Sequence, residues 1–110
     1  MDSRKRKRLE AAGWHVGDIG EFLGLTQAEV ALIDFKRALA ELVRSTRLRS
    51  RLSQQELAKR LRSSQSRIAK LESGEAGVSL DLMLMAAFAA GASGKELAKA
   101  FGSTRRLAAG

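Results

Sequence analysis

The chain has 110 residues and a net charge of +8 at pH 7, and 45% of its residues are hydrophobic. This length suits one domain with one core. The absence of cysteine excludes disulfides and thiolate metal sites, and the lone histidine, His15, has no second imidazole with which to hold zinc. No apolar run reaches the ~20 residues of a membrane span, and no secretory signal is seen. We therefore expect a cytoplasmic chain without metal, cofactor or membrane partner.

The composition predicts an all-α fold, and the helix starts and stops described below divide it into a compact bundle of about five helices with a short helical N-terminal extension. Proline is absent, and the abundant residues (Ala, Leu, Arg, Lys, Glu and Gln) favour helix. The predicted divisions are a basic arm with a short helical N-terminal extension over 1–25, a helical domain over 26–102, and a disordered tail over 103–110.

The N-terminal extension opens with five consecutive basic residues, Arg4 to Arg8. They form either a frayed arm or the first turns of a helix that ends near Gly13. As an arm they are either a solvated tail or a segment that touches phosphate or the minor groove. A short helix is predicted from Asp18 to Leu23, with Gly24 as its stop.

Three capping boxes mark later helix starts, at Thr26–Glu29, Ser53–Glu56 and Ser93–Glu96. The first predicts a long helix that runs to about Arg47 or Ser50, and the last a helix that ends at Phe101 and Gly102. Between them, Ser64 is the expected N-cap of a helix from Gln65 to Glu72, and Gly74 its left-handed stop. Ser79 is the expected N-cap of a helix that ends at Gly91.

The excess positive charge falls in one segment. Residues 44–70 hold nine basic residues and one acidic residue, Glu56, whereas the rest of the chain is balanced. A charge excess confined to the end of the long helix and the two short helices that follow it indicates a binding site for a polyanion.

A longer stretch that contains this segment, from about Leu42 to Phe101, resembles the Cro/repressor-type (XRE) helix-turn-helix family. The resemblance is carried by Ser53-Gln54-x-Glu56-Leu57-Ala58, Ser64-Gln65-Ser66-x-Ile68, Leu71-Glu72-x-Gly74 and Ser79-Leu80. It implies a helix-turn-helix domain that binds double-stranded DNA through the major groove, as a homodimer on a palindromic operator.

The resemblance also implies roles for single residues. Gln54 would bond a phosphate and brace Gln65, whose amide would read a base edge, with adenine as its natural partner. The expected base contacts are Gln65, Ser66, Arg67 and Lys70. The expected phosphate contacts are Gln54, Arg47, Ser53, Arg62 and Ser64.

Two positions depart from the family. Arg51 and Arg62 stand where its members often have glycine, before the first motif helix and in the motif turn. Each replacement adds charge near the expected phosphates and loses an easy left-handed conformation. The sequence therefore does not determine whether the backbone at these two positions is left-handed.

The segment from Leu82 to Ala90 has no polar residue. It forms either a central helix wrapped by its own domain or, with Phe101, part of a dimer contact. The expected dimer residues are Leu82, Met85, Phe88 and Phe101.

The segment before Thr26 is similar to small antitoxin regulators of the HigA kind, on the pattern AAGW-x-VGD-x-x-EFLGLT. This implies an alternative function, in which the chain neutralises an RNase toxin by direct contact while repressing its own operon. No constellation of catalytic residues is present, so no enzyme is predicted. The lack of tyrosine and the few aromatic residues disfavour RNA binding.

Overall fold

The computed structural model describes residues 24–103, and this range contains five helices and no strand, which confirms the all-α prediction. The helices are α1 (Gln27–Arg49), α2 (Gln54–Arg60), α3 (Gln65–Glu72), α4 (Leu80–Ala90) and α5 (Gly94–Gly102). The predictions for Arg4 to Arg8, for a helix from Asp18 to Leu23, for Trp14 and His15 and for the tail beyond Ser103 lie outside the described residues.

Every helix begins at a serine or threonine whose hydroxyl accepts a hydrogen bond from the backbone amide three residues later. The three capping boxes at Thr26–Glu29, Ser53–Glu56 and Ser93–Glu96 are confirmed, because in each the glutamate also accepts from the cap amide. Ser64 and Ser79 cap α3 and α4 by the hydroxyl alone.

Helices α3 and α4 each end at a left-handed residue that closes the last turn. Gly74 (φ 74°) adopts the predicted left-handed conformation after α3, and Gly91 (φ 108°), predicted only as the stop of α4, adopts it as well. After α4, the Gly91 amide donates to the Phe88 carbonyl at 3.0 Å and the Ala92 amide to the Ala87 carbonyl at 2.9 Å. This double closure satisfies carbonyls that the helix leaves without partners.

The core lies between α1 and the four shorter helices. Its members are Leu39, Ala40, Val43, Leu57, Ala58, Ile68, Leu71, Met83, Ala86, Ala87, Ala90 and Ala92. The buried face of α4 consists largely of alanine, so α1 packs closely against it. At the far end of this contact the Ser50 hydroxyl donates to the Ala90 carbonyl at 2.9 Å. Full burial of a leucine such as Leu39 or Leu57 contributes roughly 1.5–3 kcal/mol to folding.

Polar contacts fix α2 and α3, the two helices of the predicted helix-turn-helix motif, on this core. The Arg60 guanidinium donates to the Ala89 carbonyl at 2.9 Å and so ties α2 to the end of α4. Arg47 of α1 pairs with Glu72 at the end of α3. None of the helices within residues 24–103 is long and apolar enough to cross a bilayer.

Candidate DNA-binding site

Helices α2 and α3 form a pair held by the core. Leu57 and Ala58 of α2 and Ile68 and Leu71 of α3 are all buried. Because these residues fill the inner side of each helix, the opposite side of α3 faces solvent. The pair therefore presents one helix outward on a rigid support, which is the arrangement that a helix needs to enter the major groove.

The exposed side of α3 carries the four predicted base contacts. Gln65, Ser66, Arg67 and Lys70 are all exposed. Ser66, Arg67 and Lys70 follow the three- and four-residue spacing of one helix face, and Gln65 begins the first turn. The structure thus brings these side chains together on one accessible surface, and their contact with bases stays a prediction.

Gln65 is held in place by a chain of amide hydrogen bonds. Its Nε2 donates to Gln54 Oε1 at 3.2 Å, and Gln54 Nε2 donates to Glu72 Oε1 at 3.3 Å. The Gln65 amide keeps its Oε1 and one N–H hydrogen for another partner. One acceptor beside one donor matches the edge that adenine presents in the major groove.

Two of the predicted phosphate contacts are helix caps. The Ser53 hydroxyl accepts from the Glu56 amide at 3.0 Å, and the Ser64 hydroxyl accepts from the Arg67 amide at 3.2 Å. Ser64 Oγ also lies 3.3 Å from Ser66 Oγ. Both capping hydroxyls lie at exposed helix N-termini, where backbone amides and the helix dipole favour anions.

One of the predicted phosphate contacts, Arg47, instead forms an ion pair and hydrogen bonds within the fold. Its side chain is only 10% exposed, its Nε and Nη2 donate to the two Glu72 carboxylate oxygens at 2.6 and 2.9 Å, and its Nη1 donates to the Leu52 carbonyl at 2.8 Å. Hydrogen bonding to Glu72 raises the pKa of Arg47 above its ordinary value. A guanidinium committed in this way stabilises the fold, and we remove Arg47 from the phosphate contacts.

Glu72 is the site residue that the sequence interpretation missed. It accepts from both Arg47 and Gln54, so it joins the long helix to the amide chain that ends at Gln65. The sequence held one signal for this role, because Glu72 is the one acidic residue in the segment 65–72, which also contains Arg67 and Lys70. The need for a cationic partner follows from the burial of Glu72 in the structure.

The two departures from the family both adopt the left-handed conformation without glycine. Arg51 has φ 57° and Arg62 has φ 53°, and both side chains are exposed. Both positions therefore have the left-handed conformation that glycine adopts easily, and a larger side chain at this φ costs free energy.

The first turn of α3 differs in charge from the first turns of the other described helices. The first turns of α1, α2, α4 and α5 each hold one acidic residue, whereas that of α3 holds none. Arg67 occupies the position at which α2 has Glu56. Hydrogen bonds from Ser53 lower the pKa of Glu56 below its ordinary value of 4.5, and the charged form thus stabilises the start of α2. The start of α3 keeps its positive field for an external anion.

The predicted dimer residues are only partly brought together. Met85 and Phe88 lie one turn apart on α4 and are 54% and 57% exposed. Leu82 packs against the core of its own chain. Phe101 meets Phe35 edge to face, with ring centroids 4.9 Å apart. No cluster of acidic or imidazole side chains suited to a metal ion occurs among residues 24–103.

The fold and this surface define a helix-turn-helix protein. Residues 38–101, more than half of the chain, match the model of the helix-turn-helix domain family. The chain therefore belongs to this family of DNA-binding regulators, and the match fits the Cro/repressor type. No curated protein and no solved structure matches the chain.

Proposed function

We propose that the chain is a sequence-specific transcriptional repressor that acts as a homodimer on a palindromic operator, within its own control region. The observation that carries this proposal is the Gln54–Gln65 hydrogen bond on an exposed helix start. An amide held in a fixed orientation can distinguish one base edge from another, whereas exposed lysines and arginines alone would bind any duplex.

The charge distribution supports duplex DNA as the partner. Arg51, Arg62, Arg67 and Lys70 are exposed on the motif helices and the turns that precede them. In this arrangement Gln65, Ser66, Arg67 and Lys70 read bases, and Gln54, Ser53, Arg62 and Ser64 bind phosphates on either side.

Dimerisation would place two copies of α3 about 34 Å apart, in successive major grooves on one face of the DNA. Met85 and Phe88 support this part of the proposal, because large apolar side chains more than half exposed are typical of surfaces that a partner covers. Phe101 adds apolar area on α5, and Leu82 contributes at most the outer part of its side chain.

The test is binding of the purified chain to its own upstream DNA and to random duplex, at about 50 and about 200 mM salt. A repressor keeps a clear preference for the upstream DNA at the higher salt. Equal binding to both duplexes that is lost at the higher salt would contradict sequence-specific regulation.

The second candidate function is an antitoxin that also represses its operon. The exposed Met85 and Phe88 support the antitoxin function, because they offer an apolar surface that a different protein can cover. Co-expression with the product of an adjacent small open reading frame distinguishes the two. A stable hetero-complex would support the antitoxin, and growth inhibition that the chain does not relieve would exclude it for that gene.

A further inference from the structure

Arg51 and Arg62 occupy equivalent places in two copies of one local pattern. Residues 51–59 and 62–70 both read Arg-x-Ser-Gln-x-x-(Leu or Ile)-Ala-Lys. In both copies the serine is the N-cap and the glutamine is the first residue of the helix. The two motif helices therefore begin in the same way, and each is preceded by an arginine.

The backbone at the two arginines is also the same. The Arg51 amide donates to the Leu48 carbonyl at 3.0 Å, and the Arg62 amide to the Lys59 carbonyl at 3.2 Å. The next amide in each copy closes a longer loop, to the Arg47 carbonyl at 3.0 Å and the Ala58 carbonyl at 2.8 Å. Each arginine thus ends one helix in a left-handed conformation two residues before the N-cap of the next.

Glycine fits this conformation without strain, and the chain uses it at the corresponding ends of α3 and α4. The use of arginine at the other two ends therefore requires a reason outside the fold. Strained left-handed residues are typical of functional sites, where the side chain has a task that outweighs the loss of stability.

The position of the two arginines indicates that task. Their helix starts lie side by side, because Gln54 and Gln65 are hydrogen-bonded at 3.2 Å. Both arginine side chains are exposed and precede these glutamines by three residues. An arginine guanidinium binds a phosphate through two parallel hydrogen bonds.

We propose that Arg51 and Arg62 form a phosphate clamp, one arginine beside each motif helix start, and that DNA binding retains them at the expense of fold stability. The proposal rests on the proposed function, since it takes α2 and α3 as the DNA-facing elements. It adds Arg51 to the binding residues and gives both arginines a sequence-independent contribution to affinity.

The experiment combines thermal stability with salt-dependent DNA binding for Arg51→Gly, Arg62→Gly and the double variant. Each glycine variant should melt about 5 °C higher, because the strain is relieved. Each should bind upstream and random duplex about tenfold more weakly. The slope of log affinity against log salt should fall by about one per arginine.

Three controls separate charge from backbone strain. Arg51→Asn and Arg62→Asn should repeat both effects, because asparagine also tolerates the left-handed conformation. Arg51→Lys and Arg62→Lys keep the charge and the strain, so they should leave the melting temperature and the salt slope unchanged. Lys95→Ala removes an exposed charge from α5 and should leave DNA binding unchanged.

The clamp is overturned if the glycine variants keep the affinity and salt slope of the unaltered chain, and its stability component is overturned if they melt at lower temperature. These outcomes are distinct from failure of the proposed function. A chain that does not prefer its upstream DNA is no specific repressor, but its arginines can still be measured on random duplex, because phosphates are common to both.

Discussion

At the scale of single residues, the site depends on an ion pair that is nearly withdrawn from water. Arg47 and Glu72 are 10% and 5% exposed in their side chains, and Glu72 also accepts from Gln54. Loss of either partner leaves a charge without compensation in a poorly solvated place. The pair therefore links the stability of the domain to the orientation of Gln65.

We expect Arg47→Ala to destabilise the domain by about 3 kcal/mol, because Glu72 loses its cation and Leu52 its side-chain donor. Chemical denaturation measures the unfolding free energy of the variant and of the unaltered chain. Arg44→Ala, on an exposed position of the same helix, is the control and should change the unfolding free energy by less than about 0.5 kcal/mol. Equal small effects for the two variants would show that the ion pair does not stabilise the fold.

At the scale of the helices, most boundaries follow from local sequence. A capping box joins residues three apart, so its partners can be identified without knowledge of the fold. Arg47 could not be assigned in this way, because its partner Glu72 lies far along the chain and only packing of α1 against α3 brings them together. The left-handed backbone at Arg51 and Arg62 was likewise not decided by residue type, since hydrogen bonds to the preceding helix determine it.

The capping boxes predict a loss of stability in acid. The pKa values of Glu29, Glu56 and Glu96 are lowered from 4.5, the first two mainly by their cap residues and the third mainly by Arg49. A lowered folded-state pKa gives stability that is present above pH 4.5 and is lost as the pH falls through the folded value. Glu56→Gln should therefore flatten the dependence of the denaturant midpoint on pH below 4.5.

The matched control for this prediction is Glu75→Gln, because Glu75 is exposed and closes no capping box. The denaturant midpoint of Glu75→Gln should depend on pH in the same way as that of the unaltered chain. Identical acid profiles for Glu56→Gln and the unaltered chain would contradict a stabilising role for the Glu56 carboxylate.

The N-caps of α3 and α4 offer a second test at this scale. Ser64→Ala and Ser79→Ala each remove one hydroxyl that accepts a backbone amide, and each should cost about 1 kcal/mol of stability. Only Ser64→Ala should also weaken DNA binding, because of the two only Ser64 lies at the start of α3, the helix that we propose enters the major groove. Titrations of both folded variants with operator duplex compare them, and equal affinities would exclude Ser64 as a phosphate contact.

At the scale of the whole molecule, the core fixes which surfaces remain free. The α1–α4 contact uses the alanine side of α4 and leaves Met85 and Phe88 outside. The charge excess in residues 44–70 is reduced locally by the pairs of Arg47 with Glu72 and of Arg49 with Glu96. The basic and apolar surfaces therefore belong to different helices and can be altered separately.

We expect Phe88→Glu to shift the chain toward monomer, because a charge within the apolar contact would have to be desolvated. Sedimentation equilibrium measures the shift. Binding to a half-site should remain while the cooperative gain on the full palindrome is lost. Leu32→Glu, at an exposed apolar position of α1, is the control. A chain that is monomeric before any substitution would contradict the proposed homodimer.

Base reading by Gln65 is tested most directly by comparing Gln65→Ala with the unaltered chain on the upstream operator, on random duplex and on operators changed at one base pair. We expect Gln65→Ala to lose about 1–3 kcal/mol of binding free energy on the operator, to change little on random duplex, and to be insensitive to the base pair that Gln65 reads. Equal losses on operator and random duplex, with the base preferences intact, would contradict base reading by Gln65.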